Sequence, residues 1–200
     1  MVILTFPMYK RICFALAVLV LITSSCSADR VRSDLVMEDL LIEQSCFPPG
    51  WYVVVANAVP SEKRERRAED AIGIWLEPSS PDLTGAGYEV YRYKSIPAAR
   101  SAFDKWVKRE FNSSSIGSLT AWEVPSELPY RSSVADRSRL GCHVSGITGT
   151  RICQFMGQYD EFMVIFYTGF GEQHMTYAAL EHILQTIDER MTLYVKNGTD

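Results

Sequence analysis

The stretch Phe162-Met-Val-Ile-Phe-Tyr167 places six large apolar or aromatic side chains at consecutive positions. Successive side chains of a strand point to opposite faces, so this segment has no polar face to offer to water. It is predicted to be a central strand, apolar on both sides, and the rest of the chain has to supply its neighbours. Trp51 to Val59, Ala71 to Glu77 and Tyr88 to Lys94 are rich in β-branched and aromatic residues and read as strands, as does Leu119 to Val124. Arg139 to Ser145 and Arg151 to Tyr159 read as a hairpin around Gly146-Ile-Thr-Gly149.

Two helices complete the pattern. Ser95 caps the first, which runs from Ile96 to about Phe111; Pro97 is tolerated in its opening turn, and Ala99, Phe103, Trp106, Val107 and Phe111 form an apolar stripe. The second carries Tyr177, Leu180, Ile183, Leu184, Ile187 and Met191 and ends at Asn197-Gly198. A short helix is expected over Met37 to Ser45, closed by the turn Phe47-Pro-Pro-Gly-Trp51. Pro125 to Asp136, rich in proline and serine, is a connection. The expected class is α+β: an antiparallel sheet of six to seven strands with two main helices packed on one face.

The N-terminus obeys a different rule. Ile12 to Ile22 contains no charge, follows Lys10-Arg11, and is followed by Thr23-Ser-Ser-Cys26-Ser-Ala28. A basic start, a short apolar run and a small-residue exit are the marks of a secretory signal. As a helix the run rises only about 16 Å, against a hydrocarbon core of about 30 Å. Ser24-Ser25-Cys26 resembles the lipobox of bacterial lipoproteins, with Thr23 where that family usually has an aliphatic residue. The resemblance implies cleavage before Cys26, acylation of its thiol, and membrane lipid as a partner through that residue. Ordinary cleavage, for instance after Ala28, would instead release a soluble protein. The expected organisation is a signal peptide over 1–25, a lipidated N-terminus and polar tether over 26–38, and one globular domain over 39–200.

Charge excludes one class of partner. The chain has a formal net charge of −4, and loss of the leader with Lys10 and Arg11 makes the remainder more acidic. Such a domain lacks the basic footprint that nucleic acid requires. The dense charge run Ser61 to Asp70 alternates in sign and reads as a solvated loop.

Cys46, Cys142 and Cys153 follow the leader. Setting Cys142 opposite Cys153 in the hairpin puts Val144 opposite Arg151 and Leu140 opposite Phe155. Directly opposed Cα atoms lie about 4.5–5.5 Å apart, within disulfide reach. Cys46 pairing with either cysteine is the alternative. A metal site from Cys142, His143 and Cys153 is disfavoured because neighbours on a strand point apart. No metal or other cofactor is expected, and no nucleotide-binding or hydrolase motif is present.

Tyr91, Tyr93 and Trp75 are the candidate binding surface, since recognition surfaces favour such side chains; core packing under a helix is the competing reading. Asp39-Leu-Leu-Ile through Phe47-Pro-Pro-Gly-Trp51 resembles the opening of uncharacterised exported bacterial domains, and some ligand-sensing extracellular domains have a similar strand-then-helix layout. The resemblance implies an extracytoplasmic module and carries over no functional residue. The favoured function is a non-catalytic binding module with a protein or small-molecule ligand. The alternatives are an envelope hydrolase using Asp160 and Glu161, and a redox protein using Cys46.

Overall fold

The computed structural model describes residues 36–60, 62–79, 85–112, 119–171 and 175–195. The leader, Cys26, most of the tether and His174 lie outside them. Six strands form one sheet: β1 (Trp51–Ala58), β2 (Asp70–Pro78), β3 (Ala86–Arg92), β4 (Arg137–Val144), β5 (Arg151–Tyr159) and β6 (Phe162–Phe170). Their spatial order is β1-β2-β3-β6-β5-β4, and every neighbouring pair is antiparallel. The helices are a single turn α1 (Lys63–Arg66), α2 (Ile96–Glu110) and α3 (Tyr177–Val195). The class is α+β, and β6 is an inner strand whose residues from Phe162 to Phe166 are all buried.

The two long helices lie on opposite faces of the sheet, which corrects the expectation that both share one face. Met163 and Ile165 of β6, Tyr91 of β3 and Met156 of β5 pack with Ala99, Phe103 and Trp106 of α2. The alternate residues Val164, Phe166, Val90 and Phe155 pack with Leu180, Ile183, Leu184 and Ile187 of α3. A strand without a polar face requires this cover on both sides, because each uncovered side chain would forfeit about 1.5–3 kcal/mol of burial.

Local chemistry explains the helix ends. Ser95 accepts a hydrogen bond from the Ala98 N–H, Pro97 sits in the first turn, and Lys108 and Arg109 occupy the last turn, where the helix dipole favours cations. Thr176 accepts from the Ala179 N–H just before α3 gets under way.

Three sequence expectations fail locally. Met37 to Ser45 is two 3₁₀ turns, Met37–Leu40 and Gln44–Cys46, separated by extended backbone at Leu41. Met37, placed in the tether on sequence grounds, is buried beside Leu40 and Ile42 in the core on the α3 side. Leu119 to Val124 is not a strand; it makes a single bridge, Glu123 to Cys142. Pro125 ends any further pairing, having no N–H to donate.

The β4–β5 register places Cys142 opposite Cys153, Leu140 opposite Phe155 and Val144 opposite Arg151, and the two sulfurs are bonded. Both cysteines are fully buried on the α3 side. Cys46 is a free thiol, half-buried at the margin of the same core. The bridge joins residues 11 apart, so chain entropy gives it roughly 3 kcal/mol. Replacing both cysteines (Cys142→Ala with Cys153→Ala) is expected to lower unfolding stability by about that amount in a urea titration. A loss below about 1 kcal/mol would show that the reduced chain already holds the hairpin closed.

Candidate functional site

The aromatic trio does not form an open surface. Tyr91 and Tyr93 are 0 % and 3 % exposed, because their side of β3 is the side α2 covers. Trp75 is half-buried and packs its ring against Tyr167 at 5.5 Å. The charge run that looked like a solvated loop contributes to this same core. Arg66 of α1 is 8 % exposed, with its guanidinium 5.3 Å from the Tyr91 ring centre, 4.1 Å from that of Trp106 and 3.5 Å from Glu110. Cation–π contact and one carboxylate take the place of water around the charge.

Glu89 lies at the edge of this aromatic layer and accepts a 2.6 Å hydrogen bond from the Tyr91 hydroxyl. Burial raises its carboxyl above the ordinary 4.5, partly opposed by that bond. Burial, and then the Glu89 charge, push the Tyr91 phenol strongly upward.

The other residues singled out in the sequence are dispersed. Asp160 and Glu161 form the β5–β6 turn, with Asp160 at a φ of 49°. Neither lines the two clefts described below. His143 is buried and packs against Trp122, ring centres 4.1 Å apart and tilted by 42°, and desolvation lowers its pKa. His182 is exposed on α3. Among the described residues no group of three His, Cys, Asp or Glu side chains is placed to hold a metal ion.

A different part of the chain gathers polar groups around concave surface. Between Pro125 and Asp136 the connection forms a strap over the α3 side of the sheet. Leu128 and Tyr130 anchor it, both buried. Beneath it lies Asp188 of α3, 7 % exposed, which accepts three hydroxyl hydrogen bonds. Tyr159 of β5 donates to Oδ1 at 2.6 Å, Ser132 donates to Oδ1 at 2.7 Å, and Tyr130 donates to Oδ2 at 2.7 Å. One carboxylate thus ties strap, sheet and helix together. The Ser132 oxygen also accepts from the Val134 and Ala135 N–H groups and fixes the turn of the strap. At its far end Asp136 accepts from Gln158 Nε2 and the Asp160 N–H. Burial, followed by the nearby Asp188, pushes the Tyr130 and Tyr159 phenols upward, so both are donors at every ordinary pH.

A cleft opens on each side of the strap, and Tyr130 and Arg131 line both. The first, about 640 Å³, runs along β4 and is bordered by Arg131, Arg137, Ser138 and Arg139, with Leu140 and Phe155 among its apolar walls. The second, about 500 Å³, lies against α3 and carries Glu181, Asp188 and Glu189. Both fall in the size range of ligand sites. Their charges are opposite in sign. In the first cleft Asp136 is satisfied by its two donors, and Arg137 pairs with Asp104 at 2.5 Å. Arg131 and Arg139 have no acidic partner among the described residues; Arg139 lies over the Phe111 ring at 5.5 Å. Arg131 therefore borders both clefts, whereas the Arg139 guanidinium, like that of Arg137, turns to the α2 side of β4, opposite to Leu140 and the strap.

Nothing in the sequence singled out this site, because its parts come from three distant segments. One signal was present: Asp188 falls beside Leu184, Ile187 and Met191 on the apolar stripe of α3, and an acid there needs hydrogen-bond donors from elsewhere.

No family model matches the chain, and no curated protein matches it in sequence. Among solved structures, it is similar to the extracellular domain of PknH from Mycobacterium tuberculosis, with a TM-score of 0.45 and 11% identity, covering 74% of this chain and 78% of that chain.

Two measurements check the electrostatics of the interior. Asp188→Ala removes the acceptor of the Tyr159 and Ser132 hydroxyls and leaves Tyr130 with the Leu184 carbonyl at 3.1 Å, and is expected to cost roughly 2–4 kcal/mol in urea unfolding. A loss under about 0.5 kcal/mol would mean that the strap is not held by this carboxylate. Glu89 binds its proton more tightly folded than unfolded. Its contribution is therefore fully present below the ordinary value of 4.5 and is lost as pH rises through the raised folded value. Glu89→Gln keeps an acceptor for Tyr91 and removes the titration. Its stability relative to wild type should rise as the pH is raised above the ordinary carboxyl value of 4.5, and a difference that stays constant as the pH is raised would contradict the assignment.

Proposed function

We propose that the chain is an exported, membrane-anchored binding module, held to the lipid through Cys26 and offering its ligand the cleft beside β4. The observation that carries the reading is that cleft: a concave surface along β4, with Arg131 at its border, whose strap is clamped by Asp188. A site built on a fixed frame keeps its geometry before the ligand arrives, which lowers the ordering cost of binding. The buried Cys142–Cys153 bond supports a compartment outside the cytosol, where disulfides persist. The leader and the Ser24-Ser25-Cys26 exit support export and acylation. The polar stretch after Cys26 is of the length a short tether needs.

Metabolic labelling with a radioactive fatty acid in a bacterial host tests the anchor. Label is expected on the wild-type chain in the membrane fraction and not on Cys26→Ser. An unlabelled wild-type protein recovered in the medium points to ordinary secretion, and label retained by Cys26→Ser places the lipid elsewhere; either result overturns the anchor at Cys26.

A further inference from the structure

We propose that the cleft beside β4 takes an extended acidic peptide segment, which adds to the free part of the β4 edge. The proposal rests on the reading of this domain as a binding module and names the ligand class for the same cleft.

Hydrogen-bond direction decides what the edge of β4 offers. Cys142 donates its N–H to the Glu123 carbonyl at 2.8 Å and accepts from the Glu123 N–H at 3.0 Å. Its backbone polar groups therefore face away from β5. Strand groups alternate with period two, and the β4–β5 register is unbroken from Arg137 to Val144. Leu140 and Ser138 consequently turn their N–H and C=O groups outward as well. Along the far half of this edge the protein supplies its own cover: the Leu119 N–H donates to the Val144 carbonyl, and the Val144 N–H donates to Thr120 Oγ1. The cover leaves the edge where Val124 gives way to Pro125, which has no N–H to continue the pairing. From there to Arg137 the edge has no backbone partner among the described residues, and Ser138 and Leu140 line the cleft.

The chemistry of that edge selects the occupant. It offers two donors and two acceptors in alternation. A phosphate or a simple carboxylate satisfies donors only and would face the two carbonyls with like charge. An extended peptide supplies both kinds of group at the matching spacing. Side chains of an added strand alternate between the two faces, so acidic ones would meet Arg131 of the strap on the α3 side and Arg139 on the α2 side, neither of which forms an ion pair among the described residues. At about 3.3 Å per residue, four residues of peptide span the stretch from Arg137 to Leu140. A volume of about 640 Å³ accommodates them.

The test uses the full-length protein in detergent micelles and a library of fluorescently labelled random hexapeptides, with inorganic phosphate and citrate as competing probes. Acid-rich peptides are expected to be selected. Their affinity should fall at least about tenfold in the double variant Arg131→Ala with Arg139→Ala, and comparably when alternate peptide amides are N-methylated. Both arginines are exposed, so the variant should keep the wild-type urea midpoint. Peptides whose binding ignores either change would overturn the edge site while leaving a binding module elsewhere on the domain. Failure to select any peptide, with phosphate or citrate binding in an arginine-dependent manner, would overturn the peptide in favour of a small anion. Binding of none of these probes would overturn both the proposal and the cleft as a ligand site. Fatty-acid labelling of Cys26 reads the anchor separately and is unaffected by any of these outcomes.

Discussion

The organisation of this domain depends on one constraint, a central strand that cannot face water on either side. Met163 and Ile165 demand cover in one direction, and Phe162, Val164 and Phe166 demand it in the other. The helix after β3 and the helix after β6 answer these demands separately, so each half of the chain contributes one layer. The price of covering both faces of a single sheet is that its two edges remain, and at β4 the cover is incomplete. The free edge and the cleft beside it are by-products of the layer arrangement.

The strap over β4 would have little reason to stay in place without Asp188. Its sequence is short of apolar residues, with Leu128 and Tyr130 as its buried anchors. A buried carboxylate that accepts three hydroxyl bonds converts this weakly packed loop into a defined wall. The same acid separates two clefts of opposite charge, one bordered by arginines and one by glutamates. Because this polar network is satisfied by neutral donors, it fixes the wall without placing a second buried ion beside the β4 cleft.

Much of the fold was legible in the chain itself. Strand identity followed from composition, the long helices from their stripes, and the Cys142–Cys153 register from the hairpin. The placement of the helices on opposite faces was implicit in Phe162 to Tyr167, whose two apolar sides require two covers. What resisted reading was long-range. The aromatic side chains of β3 look alike whether they face solvent or α2, so Tyr91 and Tyr93 suggested a surface and proved to be core. Arg66 sits in a run of alternating charges, and nothing local distinguishes its guanidinium, buried between Tyr91 and Trp106, from that of exposed Arg67 beside it. The cleft residues lie on a connection, a strand and a helix that only the folded chain brings together.

The Cys142–Cys153 bond takes on a mechanical meaning from its position. It joins the outermost strand to the next one inward, at the edge where a ligand would attach. A pull on β4 tends to peel it away one hydrogen-bonded pair at a time, the direction in which a sheet resists force least. The covalent rung interrupts that unzipping and passes the load to β5, and through β5 to the central strand. A domain tethered at one end and gripped at this edge would thus bear tension across its core and not along its weakest seam.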